Sequence, residues 1–122
     1  MDRVKILNEK GSKILYMDFT YLRDYEDIKS IIDSSREYIR VQDENSALTL
    51  TNLEGMHFNS EIKNAFSSFI GGNKPYVRAS AVIGLSGLLR MMYNGVNRLT
   101  GRDIRSFNSK DEAIDWLANR SN

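Results

Sequence analysis

The side chains that could do chemistry are few. His57 is the only histidine, and one imidazole cannot assemble a histidine-rich metal site. The carboxylates nearest it, Glu54 and Glu61, stand at no ligand spacing, and no cysteine is present to supply a thiolate. No metal and no cofactor is expected, and His57 reads as loop surface. Serines are many, but Gly84-Leu85-Ser86-Gly87 places glycines at −2 and +1 of Ser86, which breaks the nucleophile-elbow pattern. Ser-His-Asp catalysis needs an oriented base as well. The sequence does not read as an enzyme.

The same string follows a strand and opens a helix, the context of a phosphate cradle. It lacks both the P-loop lysine and the dinucleotide glycine spacing. Its glycines serve equally to let a helix pack close to a sheet. Asp18 has two readings of its own. It stands in the otherwise apolar string Tyr16-Met17-Asp18-Phe19, either to cap a loop through backbone N–H groups or to line a binding crevice with Asn52 and Ser86.

Charge is informative in its distribution. The net charge of +1 argues against bulk attraction to nucleic acid. Residues 1–73 balance to −3, and residues 108–122 to −1. Between them, Lys74, Arg78, Arg90, Arg98, Arg102 and Arg105 stand against Asp103 alone, a balance of +5. Arg90, Asn94, Asn97 and Arg98 share one face of a helix, with Met91, Tyr93 and Gly95 interleaved. Methionine and tyrosine beside arginine suit protein recognition, so Arg90, Met91, Tyr93, Asn94 and Arg98 form a candidate partner surface. No aromatic-basic platform for single-stranded nucleic acid is evident.

The elements that must position these groups follow from periodicity. Val4, Ile6 and Leu7 lead into Asn8-Glu9-Lys10-Gly11, a strand and a hairpin turn, and Lys13–Phe19 returns as an antiparallel strand. Asp24 offers an N-cap oxygen to a helix over about 24–41, with Ile28, Ile31, Ile32, Ser35 and Ile39 on its core face. Ala47–Thr51 alternates as a strand does. Asn59 or Ser60 caps a second helix bearing Ile62, Ala65, Phe66, Phe69 and Ile70, which Gly71-Gly72-Asn73 stops with left-handed residues. Pro75 opens the strand Tyr76–Ile83, whose apolar end implies cover on both faces. Ser86 caps a third helix with Leu88, Leu89, Met92, Val96 and Leu99 as its core, ended by Thr100-Gly101. Ile104–Phe107 is a last short strand. Ser109 and Glu112 then form a capping box on a closing helix of Ala113, Ile114, Trp116 and Leu117, with Trp116 in the core.

The fold class is therefore α/β, one domain over residues 1–122, in the order β-β-α-β-α-β-α-β-α. Alternating elements imply a mixed, mostly parallel five-stranded sheet with four helices against it. Ligands of such sheets bind beyond the carboxyl ends of the strands, which selects the loops 20–23, 52–58 and 84–86. A crevice there would be lined by Asp18, Asn52, Asn59 and Ser86.

Four strings carry a resemblance across about residues 10–118: KILYMDF, SALTLTNLEG, NKPYVRASAVIGLSGL and SKDEAIDWL. With them the chain resembles the SpoIIAA-like branch of the STAS superfamily, which includes the anti-anti-sigma factors and is also compared with CRAL-TRIO lipid-binding domains. The resemblance implies a small mixed-sheet domain with a regulatory, non-catalytic role. In anti-anti-sigma factors a phosphorylated serine follows an aspartate at the start of a helix after the third strand. Ser60 is the matching serine, with Asn59 in the aspartate's place and Glu61 beyond it.

The expected role is docking to a protein partner through the second and third helices, modulated by phosphorylation near Ser60. The alternative is a small anionic or lipid ligand held in the strand-end crevice. No segment approaches the roughly 20 apolar residues of a membrane span, and Met1-Asp2-Arg3-Val4 opens no signal peptide, so a cytoplasmic location is expected. A monomer, or a weak homodimer through the first strand or third helix, is expected.

Overall fold

The computed structural model describes residues 3–120. Its elements are β1 (Val4–Glu9), β2 (Ser12–Asp18), α1 (Tyr25–Ile39), β3 (Ala47–Asn52), α2 (Ser60–Asn73), β4 (Val77–Ile83), α3 (Gly87–Thr100), β5 (Arg105–Phe107) and α4 (Lys110–Ala118). The sheet runs β1-β2-β3-β4-β5, with β1 antiparallel to β2 and every later pair parallel.

The first hairpin closes on two residues, Lys10 and Gly11, both at positive φ. That is the backbone which matches the twist of the paired strands. From β2 onward each crossover steps to the next strand in the same direction. Connections of one hand stepping one way put their helices on one face of the sheet. Accordingly α1, α2 and α3 share a core with Leu15, Met17 and Val82. Among the described residues α4 alone covers the reverse face, where Ala113, Ile114 and Leu117 meet Ile14, Leu48, Leu50, Ala81 and Ile83.

β3 stands as expected, and several local readings elsewhere are corrected. β3 is buried on both faces from Ala47 to Thr51, because α4 lies on its leucine side and the three-helix layer on its threonine side. Thr49 solves the resulting problem by pairing its hydroxyl with that of Ser80 at 2.6 Å. Gly71 and Gly72 stay helical, and α2 runs on through Asn73 to a cap at Lys74. Pro75, which has no N–H to extend the ladder, marks the stop instead. Leu88 and Leu99 are exposed, and Trp116 is half-buried against the α4 core. Asp24 and Ser86 occupy N-cap positions without a side-chain cap bond, whereas Asn59 and Ser109 make theirs.

Candidate functional site

Strand register brings Asp18 beside Asn52, and Asn52 beside Ile83, at the carboxyl ends of β2, β3 and β4. The loops that continue from these strands stay zipped together. The Phe19 N–H donates to the Asn52 carbonyl at 2.9 Å, Tyr21 to Glu54 at 2.8 Å, and Leu53 to Ile83 at 3.0 Å. Further out, the His57 N–H donates to the Leu22 carbonyl at 2.9 Å. The three expected loops do share one rim.

Asp18, Asn52 and Asn59 spend their polar atoms on holding that rim, while Ser86 is exposed without a side-chain cap bond. The Asp18 carboxylate accepts from the Thr20 N–H at 2.9 Å and its hydroxyl at 2.6 Å, with the Arg3 guanidinium at 3.6 Å. Asn52 donates to the Tyr16 hydroxyl at 3.1 Å and accepts from the Glu54 N–H at 3.2 Å. Asn59 spends its side-chain oxygen on the Ile62 N–H, 2.8 Å away, as the cap of α2. Of the two readings of Asp18, loop capping is the one its bonds match. Gly84, at φ +81°, lies so close to Glu54 that a β-carbon would strike the Glu54 backbone. The strand ends are thus packed with their own loops.

Ser60 is exposed at the first position of α2, beside exposed Glu61. Because Asn59 makes the cap bond, the Ser60 hydroxyl is not needed for it. His57, half-buried in the loop before α2, joins no metal cluster: among the described residues no group of three His, Cys, Asp or Glu side chains could hold an ion. Among the same residues no helix is long and apolar enough to cross a membrane.

The α3 surface differs from expectation in one member. Arg90, Met91, Asn94 and Arg98 are exposed, but Tyr93 is only 3% exposed. Its ring packs edge-on against Phe66, with centroids 6.2 Å apart, and its hydroxyl bonds to Thr51. Tyr93 therefore belongs to the core beside Leu89, Met92 and Val96. Leu88 and Leu99, which the sequence reading placed in the core, join Met91 on the surface instead. Leu88, Met91 and Leu99 stand 64, 70 and 75% exposed, and with Gly95 they form a stripe spaced three, four and four residues apart. A shallow groove of about 240 Å³ runs between this stripe and the start of α2, lined by Phe58, Lys63, Leu88, Met91, Met92 and Gly95. The signal was available: α3 carries too many apolar residues for a single buried face.

Burial raises the Tyr93 hydroxyl well above its ordinary value near 10, although Arg102 and Thr51 draw it partly back. The neutral phenol is the form the core accepts. Above about pH 10 the unfolded chain releases this proton while the folded chain keeps it, so the contribution present at lower pH is lost as pH rises. Urea titrations at stepped pH should show wild type losing about 1.4 kcal/mol per pH unit more than Tyr93→Phe in this window. Parallel pH curves for the two proteins would show that the phenol is not held neutral.

Comparisons with known proteins fall in line with this geometry. No family model matches the chain, and no curated protein matches it. Among solved structures, it is similar to an uncharacterised protein of the DUF3478 family with a SpoIIAA-like fold from Shewanella loihica PV-4. The TM-score is 0.73 at 16% identity, covering 93% of this chain and 91% of that one. It is also similar to an anti-sigma-factor antagonist (STAS) domain protein from Planctomyces limnophilus, with TM-score 0.58, 14% identity, and 96% and 98% of the two chains covered. The chain has the STAS/SpoIIAA-like fold: a five-stranded mixed sheet with four helices in the expected order.

Proposed function

We propose that residues 1–122 act as one non-catalytic regulatory domain that docks a protein partner across α2 and α3, in the cytoplasm, with Ser60 at the margin of the contact. The observation that carries this reading is the exposed stripe Leu88–Met91–Leu99 on a helix whose other side is already buried. Uncovered apolar surface of this kind costs solubility and is retained where something covers it. Met91 and Met92 give the groove a soft lining that adapts to a partner side chain. Exposed Arg90, Asn94 and Arg98 supply the polar margin usual around an apolar contact. The shared fold with a STAS-domain anti-sigma-factor antagonist supports a regulatory role of the same kind. A phosphate on Ser60 would sit at the α2 N-terminus, favoured by the helix dipole and opposed by Glu61, beside the Phe58 end of the groove.

The test compares the intact protein with the double variant Leu88→Glu/Met91→Glu as bait in an extract of the source organism. Both positions are exposed, so circular dichroism and melting should be unchanged. A stoichiometric partner retained by wild type, lost by the double variant and weakened by Ser60→Glu is the expected result. Equal recovery with both baits would remove the α3 face from the interaction.

A further inference from the structure

Four cations of the basic stretch, Lys74, Arg78, Arg102 and Arg105, meet at the other end of the sheet from the strand-end rim, with Arg120 beside them. β5 has only three residues, and its pairing with β4 begins at Ala81↔Arg105. Val77–Ser80 therefore run with no strand beside them on that side. The notch is a cleft of about 370 Å³, within the range of small-molecule sites. Five of its lining side chains are cations, Lys74, Arg78, Arg102, Arg105 and Arg120, and Asp103 is the sole carboxylate among them.

Four of these cations are held in place, and one carboxylate stands against all five. Arg102 donates to the Ile70 carbonyl at 2.8 Å and to the Ser80 hydroxyl at 2.7 Å, and Ser80 pairs in turn with Thr49. All its acceptors are neutral. Burial accordingly lowers the Arg102 pKa, the mark of a cation short of compensation. Arg78 donates to the Arg120 carbonyl. Arg105 and Arg120 both lie against the Trp116 ring, at 5.7 and 4.5 Å from its centroid. Stacking of this type fixes a guanidinium plane while leaving its N–H edges free to bind. Among the described residues, the ion pair the lining makes is Arg105 with Asp103, at 3.8 Å, and Asp103 is mostly exposed.

Gathering like charges around one hollow is unfavourable unless an anion completes it. Guanidinium forks fit the oxygens of phosphate, and a lining of net +4 calls for more than one negative charge. Among the described residues none of the exposed large hydrophobic side chains lines the cleft, which favours a soluble ligand over a lipid surface. We propose that the notch beside β4 is a binding site for a small soluble ligand bearing phosphate, of the pyrophosphate or phosphate-ester type. The site is separate from the α3 docking stripe and stands or falls independently of it.

Trp116 is the only tryptophan, so its fluorescence reports from inside the site. Full-length protein would be titrated with sodium pyrophosphate at constant ionic strength, by calorimetry and Trp116 emission together. Saturable heat with a matching change in emission is expected. Arg105→Gln, at an exposed position, and Arg78→Gln should each weaken binding about tenfold, the value of one charge-assisted hydrogen bond. The pair Arg90→Gln/Arg98→Gln removes more charge from α3 and should change affinity less than about twofold, since both residues are exposed and neither lines the cleft, leaving only screened attraction. Heat that does not saturate, an equal loss in the α3 pair, or binding that leaves Trp116 silent would each overturn the assignment. So would a response confined to vesicles carrying phosphatidic acid, which would place the headgroup chemistry on a membrane.

Discussion

Alanine at Phe66 is expected to lower the free energy of unfolding by about 3–5 kcal/mol, the cost of emptying a large aromatic site that cannot collapse. Phe66 is fully buried at the point where α2 meets both the sheet and α3. Its ring lies 5.0 Å from that of Phe19 at the end of β2 and 6.2 Å from that of Tyr93 on α3. Removing it leaves Phe19 and Tyr93 with a void between them and takes away two tilted ring pairs. Against a usual total of about 5–15 kcal/mol, a loss of that size leaves a chain partly unfolded at moderate temperature. Urea unfolding followed by circular dichroism measures it. The control is Leu88→Ala, which at an exposed position should fall within about 0.5 kcal/mol of wild type. A Phe66→Ala protein within about 1 kcal/mol of wild type would mean that the three-helix layer is not packed on this ring.

That pairing also marks what the sequence made legible. Ile62, Phe66, Phe69 and Ile70 recur at helical spacing on a helix with one apolar side, and all four are buried as expected. α3 defeats the same rule because apolar residues occupy two of its faces. Periodicity selects Leu88 and Leu99 as readily as Leu89 and Val96, and only the position of the sheet decides which face is inside. Tyr93 is misplaced for the related reason that a hydroxyl suggests solvent, whereas Thr51 supplies its partner from beneath. The alternation of Thr49 and Thr51 with leucines is legible as a strand, but its burial on both faces follows only from the three-helix layer on the threonine side and α4 on the leucine side.

The site residues divide the same way. Asn59 and Ser109 are readable as caps because the bond they make is local, three residues along the chain. Asp18 is readable in the same way, because its Thr20 partner lies two residues on and loop capping was one of its two readings, whereas the Asn52 bond to Tyr16 follows from strand register that no local pattern encodes. The charge excess of residues 74–107 was visible as a count. Its meaning was not, because the notch exists only where β5 stops short and brings Arg102 and Arg105 opposite Arg78 and Arg120.

Gly84→Ala is the second large effect, with an expected cost of about 3 kcal/mol or more. Two terms combine in it. The backbone is left-handed at φ +81°, which costs a residue with a β-carbon about 1–2 kcal/mol. The added carbon would also collide with the backbone nitrogen and α-carbon of Glu54, which cannot swing away as a side-chain tip could. Glu54 is itself pinned, because its carbonyl accepts from Tyr21 and its N–H donates to Asn52. Gly87→Ala separates the terms. Gly87 has φ +52°, but a β-carbon there meets nothing within 4 Å, so only the conformational term remains, about 1–2 kcal/mol. Thermal melts of the two variants should therefore differ, with Gly84→Ala the lower. Hydrogen exchange should quicken in it at the Leu53, Tyr21 and His57 amides, the bonds that close the strand-end loops. Equal melting points for the two would mean that the loops part without cost and that the strand-end rim is not tightly packed around Gly84.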